Sequence, residues 1–190
     1  MKPTLDQLTD WIRRIAGDDP RSAFRALFEA FYPELLRFAL FYVRQKEVAE
    51  ELVQDVFVKI WQRRHFLPGV QNLRSYLFTA TRHHCLNHLQ KAVVPLVSLD
   101  ELPSETALKD NFHPENALLL EETRHVIQGA IDHLPPQCRL IFNLVREQGL
   151  SYREVAEVLE LSPRTVESQM GIALKKLAAA LRPEGAFRKN

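Results

Sequence analysis

Apolar residues recur every three or four positions through long stretches of this chain, and that spacing determines its fold class. Between residues 24 and 42 the repeat consists of Phe24, Leu27, Phe28, Phe31, Leu35, Phe38, Ala39 and Tyr42. Such spacing marks one buried face of a helix. Glycine is scarce, at 6 of 190 residues, and no clear strand-like alternation of apolar and polar residues occurs. The sequence therefore predicts an all-α protein.

Four helices are predicted in the N-terminal half. They cover residues 5–15, a long segment that starts at a Ser22 cap and includes the repeat above, residues 47–64, and a segment from an Asn72 cap to about residue 92. Pro33 is expected to kink the long segment or to begin a new turn. The buried stripe of the third helix is predicted to be Ala49, Leu52, Val53, Val56, Phe57 and Ile60.

Residues 56–99 contain no acidic side chain, in a protein whose net charge is only +1. Basic, histidine and aromatic residues share this stretch. The basic residues are Lys59, Arg63, Arg64, Arg74, Arg82 and Lys91, the histidines are His65, His83, His84 and His88, and the aromatics are Phe57, Trp61, Phe66, Tyr76 and Phe78. Cations suit a polyanion, and exposed rings suit unstacked bases. We favour nucleic-acid binding over the alternative, a solvated helical face with ordinary core aromatics.

The charge changes sign along the chain. Residues 1–92 carry a net charge of +4, residues 93–124 carry −5, and residues 125–190 carry +2. Prolines interrupt the acidic strip, in which no helical period is visible. We predict two small helical domains joined by an acidic flexible linker, with boundaries at 1–92, 93–115 and 116–183.

The C-terminal segment shows the pattern of a helix-turn-helix. Helices are predicted at residues 117–133 and 137–148, and Ser151 and Glu154 form a capping-box pattern before the next helix. Ser162 and Pro163 then begin a second helix after a tight turn. That helix presents Arg164, Thr165, Ser168 and Gln169, which are residue types that reach bases, and Lys175 and Lys176, which suit phosphates. A plain αα-hairpin is the alternative.

These residues resemble the bacterial RNA polymerase sigma-70 superfamily, in its small extracytoplasmic-function (ECF) group. AEELVQDVFVKIWQRR and NLRSYLFTATRHHCLNHLQK are similar to conserved region 2, and LSYREVAEVLELSPRTVESQMGIALKKL is similar to region 4. The chain departs from the family at His83, where asparagine is frequent, at His84, where an aliphatic residue is usual, and at Glu167, where a basic residue is frequent.

The resemblance implies a sigma factor that binds core RNA polymerase and directs it to promoters. Core polymerase would be bound by Glu51, Gln54, Asp55, Phe57 and Trp61, which would dock on the clamp of the largest subunit, and the flap of the second-largest subunit is a further expected contact. The −10 element would be bound and opened by Arg63, Arg64, Phe66, Asn72, Arg74, Tyr76, Arg82 and His83. The −35 element would be read by Arg164, Thr165, Ser168, Gln169, Lys175 and Lys176. An anti-sigma factor is a further expected partner.

Other functions fit the sequence less well. Two distant cysteines and a charged N-terminus lead us to expect a reduced, cytoplasmic protein without membrane insertion. His84 and His88 have a zinc-ligand spacing but lack an acidic partner, so we expect no metal, no cofactor and no enzymatic activity. Two alternatives stay open: a free-standing helix-turn-helix regulator with an N-terminal sensing or dimerisation domain, and a nucleic-acid-processing enzyme that uses the histidine cluster.

Overall fold

The computed structural model of the chain describes residues 3–91 and 127–180, and the regular structure in both ranges is helical. The all-α prediction is confirmed. The elements are α1 (Leu5–Ala16), α2 (Pro20–Val43), α3 (Lys46–Gln62), a 3-10 helix (Arg64–Gly69), α4 (Leu73–Lys91), α5 (Pro136–Arg146), α6 (Tyr152–Leu159) and α7 (Pro163–Ala180). Residues 127–132 are helical as well. The predicted linker at 93–115 lies outside the described residues.

Two predicted helix starts are confirmed by side-chain caps. The Asn72 Oδ1 atom accepts a hydrogen bond from the Ser75 amide at 3.0 Å, one residue before α4 begins. The Ser162 hydroxyl accepts from the Thr165 amide at 3.0 Å, and Pro163 is the first residue of α7. Each cap satisfies an amide that has no partner within its helix, so the starts of both candidate DNA-binding helices are fixed locally.

Helix α2 begins earlier than predicted and continues through Pro33. Asp19 is the cap rather than Ser22, because its carboxylate accepts from the Ser22 amide at 3.4 Å and Pro20 occupies the first turn. Pro33 costs about 3 kcal/mol within a helix. Burial of each large apolar side chain contributes about 1.5–3 kcal/mol, so the buried face outweighs the proline and the predicted new turn does not form. The buried residues of α2 are Ala23, Leu27, Phe31, Leu35, Phe38 and Ala39.

By their contacts, the described helices fall into two units. In the first, α2 packs against α1, α3 and α4, and the residues Arg153–Leu161, which include most of α6, group with them. Phe31 of α2 is 0% exposed, and Phe78 of α4 meets the ring of Phe38 edge-on at a centroid distance of 5.1 Å. This core fixes α4 against α2 and leaves the other side of α4 free to carry polar residues.

The second unit contains α5 and α7, which pack against each other. Its core includes a cluster of Leu134, Cys138, Ala173 and Leu177, flanked by the half-buried Ala130, Ile131 and Phe142. The cluster covers one side of α7. Among the described helices, none combines the length and the apolarity that a membrane crossing requires.

Candidate nucleic-acid interface

Helix α3 presents a polar face made by Glu51, Gln54 and Asp55, all of which are exposed. Phe57 does not belong to that face. It is only 3% exposed, and its ring packs against Phe24 and Phe28 at centroid distances of 6.1 and 4.8 Å. Its assignment as a polymerase contact is therefore corrected: Phe57 holds α3 on α2, in agreement with its place in the predicted buried stripe.

Trp61 is half-buried at the end of α3, where two neighbours fix its ring. Phe24 lies beneath it at a centroid distance of 5.0 Å, and the guanidinium of Arg64 lies 4.7 Å from the centroid of the indole. Arg64 also donates a hydrogen bond of 3.1 Å to the Trp61 carbonyl. This cation–π pair restrains Arg64, whereas the neighbouring Arg63 is exposed.

The 3-10 helix holds the most exposed aromatic side chain among the described residues. Phe66 is 78% exposed, while Leu67 next to it is buried and anchors the segment to the core. Burial of such a ring would normally be favoured by about 1.5–3 kcal/mol. An outward Phe beside cations, in a segment without acids, is suited to stack on an unpaired base.

The first turns of α4 carry three more predicted residues. Asn72 caps the helix through Oδ1 and donates from Nδ2 to the carboxylate of Glu154. Arg74 is half-buried, with its guanidinium 5.7 Å from the centroid of the Phe31 ring. Tyr76 is 40% exposed. Of these three residues, Tyr76 offers the most open surface.

Arg82 and His83 converge on a single carboxylate. The Nη1 atom of Arg82 lies 2.7 Å from Glu160 Oε1, as an ion pair without hydrogen-bond alignment, and His83 Nε2 lies 3.2 Å from the same oxygen. The Arg82 guanidinium, followed by His83, holds the pKa of Glu160 below its usual range. Only 12% of the Arg82 side chain is exposed. Sequence reasoning missed Glu160, because no local pattern connects it with α4.

Tyr42 lies beside Arg82 as well. Burial raises the pKa of the Tyr42 hydroxyl, and the positive charge of Arg82 partly opposes that rise. The guanidinium therefore interacts with both the half-buried phenol of Tyr42 and the carboxylate of Glu160, and its low exposure leaves little of it for a phosphate in this structure.

His84 faces α3. Its Nε2 atom lies 2.9 Å from the Nζ atom of Lys59, and burial, followed by the charge of Lys59, lowers the pKa of His84. The neutral ring can accept a hydrogen bond from the ammonium group. In the described part of the chain, no three His, Cys, Asp or Glu side chains come together as metal ligands would.

Helix α7 carries its predicted contact residues along two adjacent stripes. Arg164, Ser168 and Lys175 follow spacings of four and seven, as do Thr165, Gln169 and Lys176, so the six share one broad face. Arg164, Ser168 and both lysines are exposed, whereas Thr165 and Gln169 are half-buried. Gln169 Oε1 accepts a hydrogen bond from the thiol of Cys138 at 2.6 Å, so part of the Gln169 amide is already engaged within the domain.

Comparison with known protein families assigns each of the two parts of the chain to a conserved family region. The sigma-70 region 2 family matches residues 27–93, and the sigma-70 region 4 family matches residues 124–177. Together the two matches span more than half of the chain, in the order that the sequence predicts. The chain belongs to the sigma-70 family.

Similar proteins place it in the ECF group. The chain is 27% identical over 187 residues to the ECF RNA polymerase sigma-E factor of Escherichia coli K12, with 94% of this chain and 97% of the relative covered. It is 25% identical over 187 residues to the RNA polymerase sigma-H factor of Pseudomonas aeruginosa, with 95% and 96% covered. It is thus a sigma factor that directs transcription initiation, and the alternative of a free-standing helix-turn-helix regulator is not favoured.

Solved structures with the same fold include two complexes. CnrH bound to the cytosolic domain of CnrY matches at a TM-score of 0.54 and 24% identity, covering 93% of this chain and 97% of CnrH. The sigma factor RpoE of Bartonella quintana, bound to the anti-sigma factor NepR, matches at a TM-score of 0.54 and 23% identity, covering 85% and 98%. At these identities the likeness shows the fold of the sigma factor.

Proposed function

We propose that this sigma factor binds the clamp of core RNA polymerase through the polar face of α3, which consists of Glu51, Gln54 and Asp55, with the rim of Trp61 beside it. The exposure of the three polar side chains supports the assignment. Carboxylates on a partly apolar rim suit a basic partner surface, because charge complementarity sets orientation and association rate. Phe57 supports this face from below.

The 3-10 helix and α4 form the proposed −10 surface. The observation that carries the proposal is the exposed ring of Phe66 in a segment without acidic residues. Tyr76 provides a second exposed ring, and Arg63 supplies an exposed cation for the backbone. A stacked base contributes about 1–3 kcal/mol, so two rings would offset much of the cost of opening a few base pairs.

Helix α7 forms the proposed −35 surface. Its capped N-terminus and exposed Arg164 and Ser168 have the arrangement of a recognition helix whose first turns reach base edges. Lys175 and Lys176 are about two to three turns further on and suit phosphates, which position the protein without reading sequence. Glu167 is exposed on the same helix and would accept from cytosine amino groups.

The decisive experiment is reconstitution with core polymerase. Fragmented genomic DNA from the source organism is transcribed by core polymerase with and without the sigma factor, and the new transcripts are mapped. We expect a set of new start sites that share two upstream elements. Transcription that is unchanged by the added protein would overturn the proposed polymerase and promoter contacts.

An anti-sigma factor is the proposed regulatory partner, since two solved proteins of this fold are bound to a named partner, one of them called an anti-sigma factor. The proposed site of action is the cytoplasm, where polymerase and chromosome are found. A protein that copurifies with the chain from uninduced cells should suppress reconstituted transcription, and a copurified protein without that effect would not be the regulator.

A further inference from the structure

We propose that Cys138 is a positioning residue for recognition of the −35 element. Its thiol holds the side-chain amide of Gln169 so that only the NH2 group of the amide faces DNA, and Gln169 then reads guanine rather than adenine. The inference rests on the proposed −35 function of α7 and names the base that one of its residues selects. Both residues belong to the second unit, in which α5 and α7 pack against each other.

Gln169 lies where the buried side of α7 meets the side that is proposed to face DNA. It directly precedes Met170, which is 1% exposed, and it lies one turn before Ala173, which is 0% exposed. Its other neighbour, Ser168, is exposed, and Gln169 itself is half-buried. The base of the Gln169 side chain is therefore fixed within the domain, while its amide lies at the edge of the contact face.

Cys138 of α5 lies beside this position. Its side chain is 2% exposed, and it belongs to the cluster that also contains Leu134, Ala173 and Leu177. Gln169 Oε1 accepts a hydrogen bond from the Cys138 thiol at 2.6 Å. Because Ala173 belongs to the cluster and lies one turn from Gln169, the packing of α5 on α7 brings the thiol and the amide together.

The chemistry of the two groups favours this direction of the hydrogen bond. Burial raises the pKa of the Cys138 thiol, and the charge of Lys176 opposes only part of that rise. The thiol therefore keeps its proton near neutral pH and is available as a donor. Sulfur is a weak acceptor, whereas an amide oxygen is a good one. The amide thus turns its oxygen towards the thiol and its nitrogen away from it.

The orientation of the amide decides which base it can recognise. A free glutamine recognises adenine with both ends of its amide, because the oxygen accepts from N6 while the nitrogen donates to N7. With its oxygen engaged by the thiol, Gln169 offers DNA only the donor. Guanine presents two neighbouring acceptors in the major groove, O6 and N7, whereas adenine places an amino group beside its N7. Guanine is therefore the base that the held amide fits.

The test uses holoenzyme assembled from core polymerase and the full chain. The template is a promoter found by reconstitution on genomic DNA, with each base pair of its upstream element replaced by every alternative, and barcoded transcripts are counted. Gln169→Ala identifies the base pair that Gln169 reads, because selectivity is lost there. At that pair we expect wild type to favour G·C over A·T by about fivefold or more, the lower end of what a good contact to a base gives.

Removal of the thiol should change which base is preferred. Cys138→Ala frees the amide to turn, so the preference for G·C over A·T at that pair should fall below about twofold or reverse. Cys138→Ser keeps a donor at the same place and should retain the wild-type preference. In the Gln169→Ala background, Cys138→Ala should change no preference, because the side chain that the thiol positions is gone.

Leu177→Ala is the matched control for a purely structural effect. Leu177 is 8% exposed in the same cluster and is outside the proposed DNA contacts. Its truncation should lower the melting temperature at least as much as Cys138→Ala and leave the base preference unchanged. An unchanged preference in Cys138→Ala, or the same shift in Leu177→Ala, would overturn the inference. A wild-type preference for A·T at the Gln169 pair would overturn it even if Cys138→Ala does not fold.

Failure of this inference differs from failure of the proposed function. If wild type initiates with a selective upstream element while Gln169→Ala alters no base pair, the role of Cys138 is refuted and the −35 role of α7 stands. If wild type never initiates, or shows no selectivity in the upstream element, the −35 role of α7 fails and the inference fails with it.

Discussion

The carboxylate of Asp19 caps α2 and also accepts a 2.5 Å hydrogen bond from Arg14 at the end of α1. One side chain therefore fixes both the start of α2 and the turn before it. The pKa of Asp19 is lowered, first by Arg14 and then by the Ser22 amide. Its folded pKa is below its unfolded value, so the stabilisation is complete above about pH 4 and is lost as the pH falls through the folded pKa.

We predict that Asp19→Ala lowers the melting temperature at about pH 7 and has a smaller effect at about pH 3, because the carboxyl of the unfolded wild-type chain is mostly protonated there and part of the charge-dependent stabilisation is lost. Thermal melts followed by circular dichroism at the two pH values measure the difference. Asp18→Ala, at the neighbouring position, is the matched control. An effect of Asp19→Ala that is independent of pH would show that charge contributes nothing at this cap.

A substitution at Asp55 should affect polymerase binding but not stability, and a substitution at Phe57 should affect stability. Asp55→Lys on the exposed face of α3 should weaken core binding by about 2 kcal/mol or more, if the pair that it forms there is desolvated. The melting temperature should not change. Binding of labelled sigma factor to core polymerase measures the loss, and unchanged affinity would remove Asp55 from the interface.

Phe57→Ala should behave in the opposite way. Phe57 is 3% exposed and packs against two aromatic rings, so its truncation should cost about 3–5 kcal/mol of unfolding free energy. Urea denaturation measures that cost. If Phe57→Ala has wild-type stability but fails to bind polymerase, Phe57 contacts the polymerase directly.

The same residue shows what the sequence could predict and what it could not. Phe57 was placed in the buried stripe of α3 by its helical spacing, and all six residues of that stripe are buried. The resemblance to a family placed it in the polymerase contact. Spacing was the better guide to burial, because a helix has one fixed periodicity. A shared motif does not distinguish a residue that contacts the partner from a buried residue that holds the contact residues in place.

Contacts between residues that are far apart in the chain could not be predicted from the sequence. The caps at Asn72 and Ser162 involve neighbours three residues away, and both were predicted correctly. Arg82 and Glu160, which form an ion pair, are 78 residues apart in the sequence, and local periodicity contains no information on such a pairing. The same holds for Lys59 and His84, which lie on different helices of one unit.

Phe66 should act in strand opening rather than in folding. Phe66→Ala should reduce permanganate reactivity of unpaired −10 thymines at a mapped promoter, because a stacked base loses about 1–3 kcal/mol. Its melting temperature should match wild type, since the ring is 78% exposed. Leu5→Ala is the control, as Leu5 is an apolar residue with 76% exposure outside the acid-free stretch. Equal footprints for the two variants would contradict the stacking role.

Cys85 should be chemically silent in the native protein. It is 0% exposed, and burial raises the pKa of its thiol to about 12. In a Cys138→Ser background at about pH 8, a disulfide reagent should therefore react with Cys85 only at the rate of protein opening. Addition of denaturant should make the reaction rapid. Rapid stoichiometric labelling of the folded chain would show that the thiol is accessible.

Residues 153–161 group with the first four helices in one unit, but the ribosome makes them several seconds later. Helices α1–α4 are complete by residue 91, and Arg153 begins the segment that joins them. At 5–20 residues per second, the ribosome needs roughly 3–12 s to make the intervening chain. Helical domains with local contacts fold within microseconds to milliseconds. For those seconds a nascent chain carries folded helices α1–α4 before Glu154 and Glu160, the carboxylates that contact Asn72, Arg82 and His83, have been made.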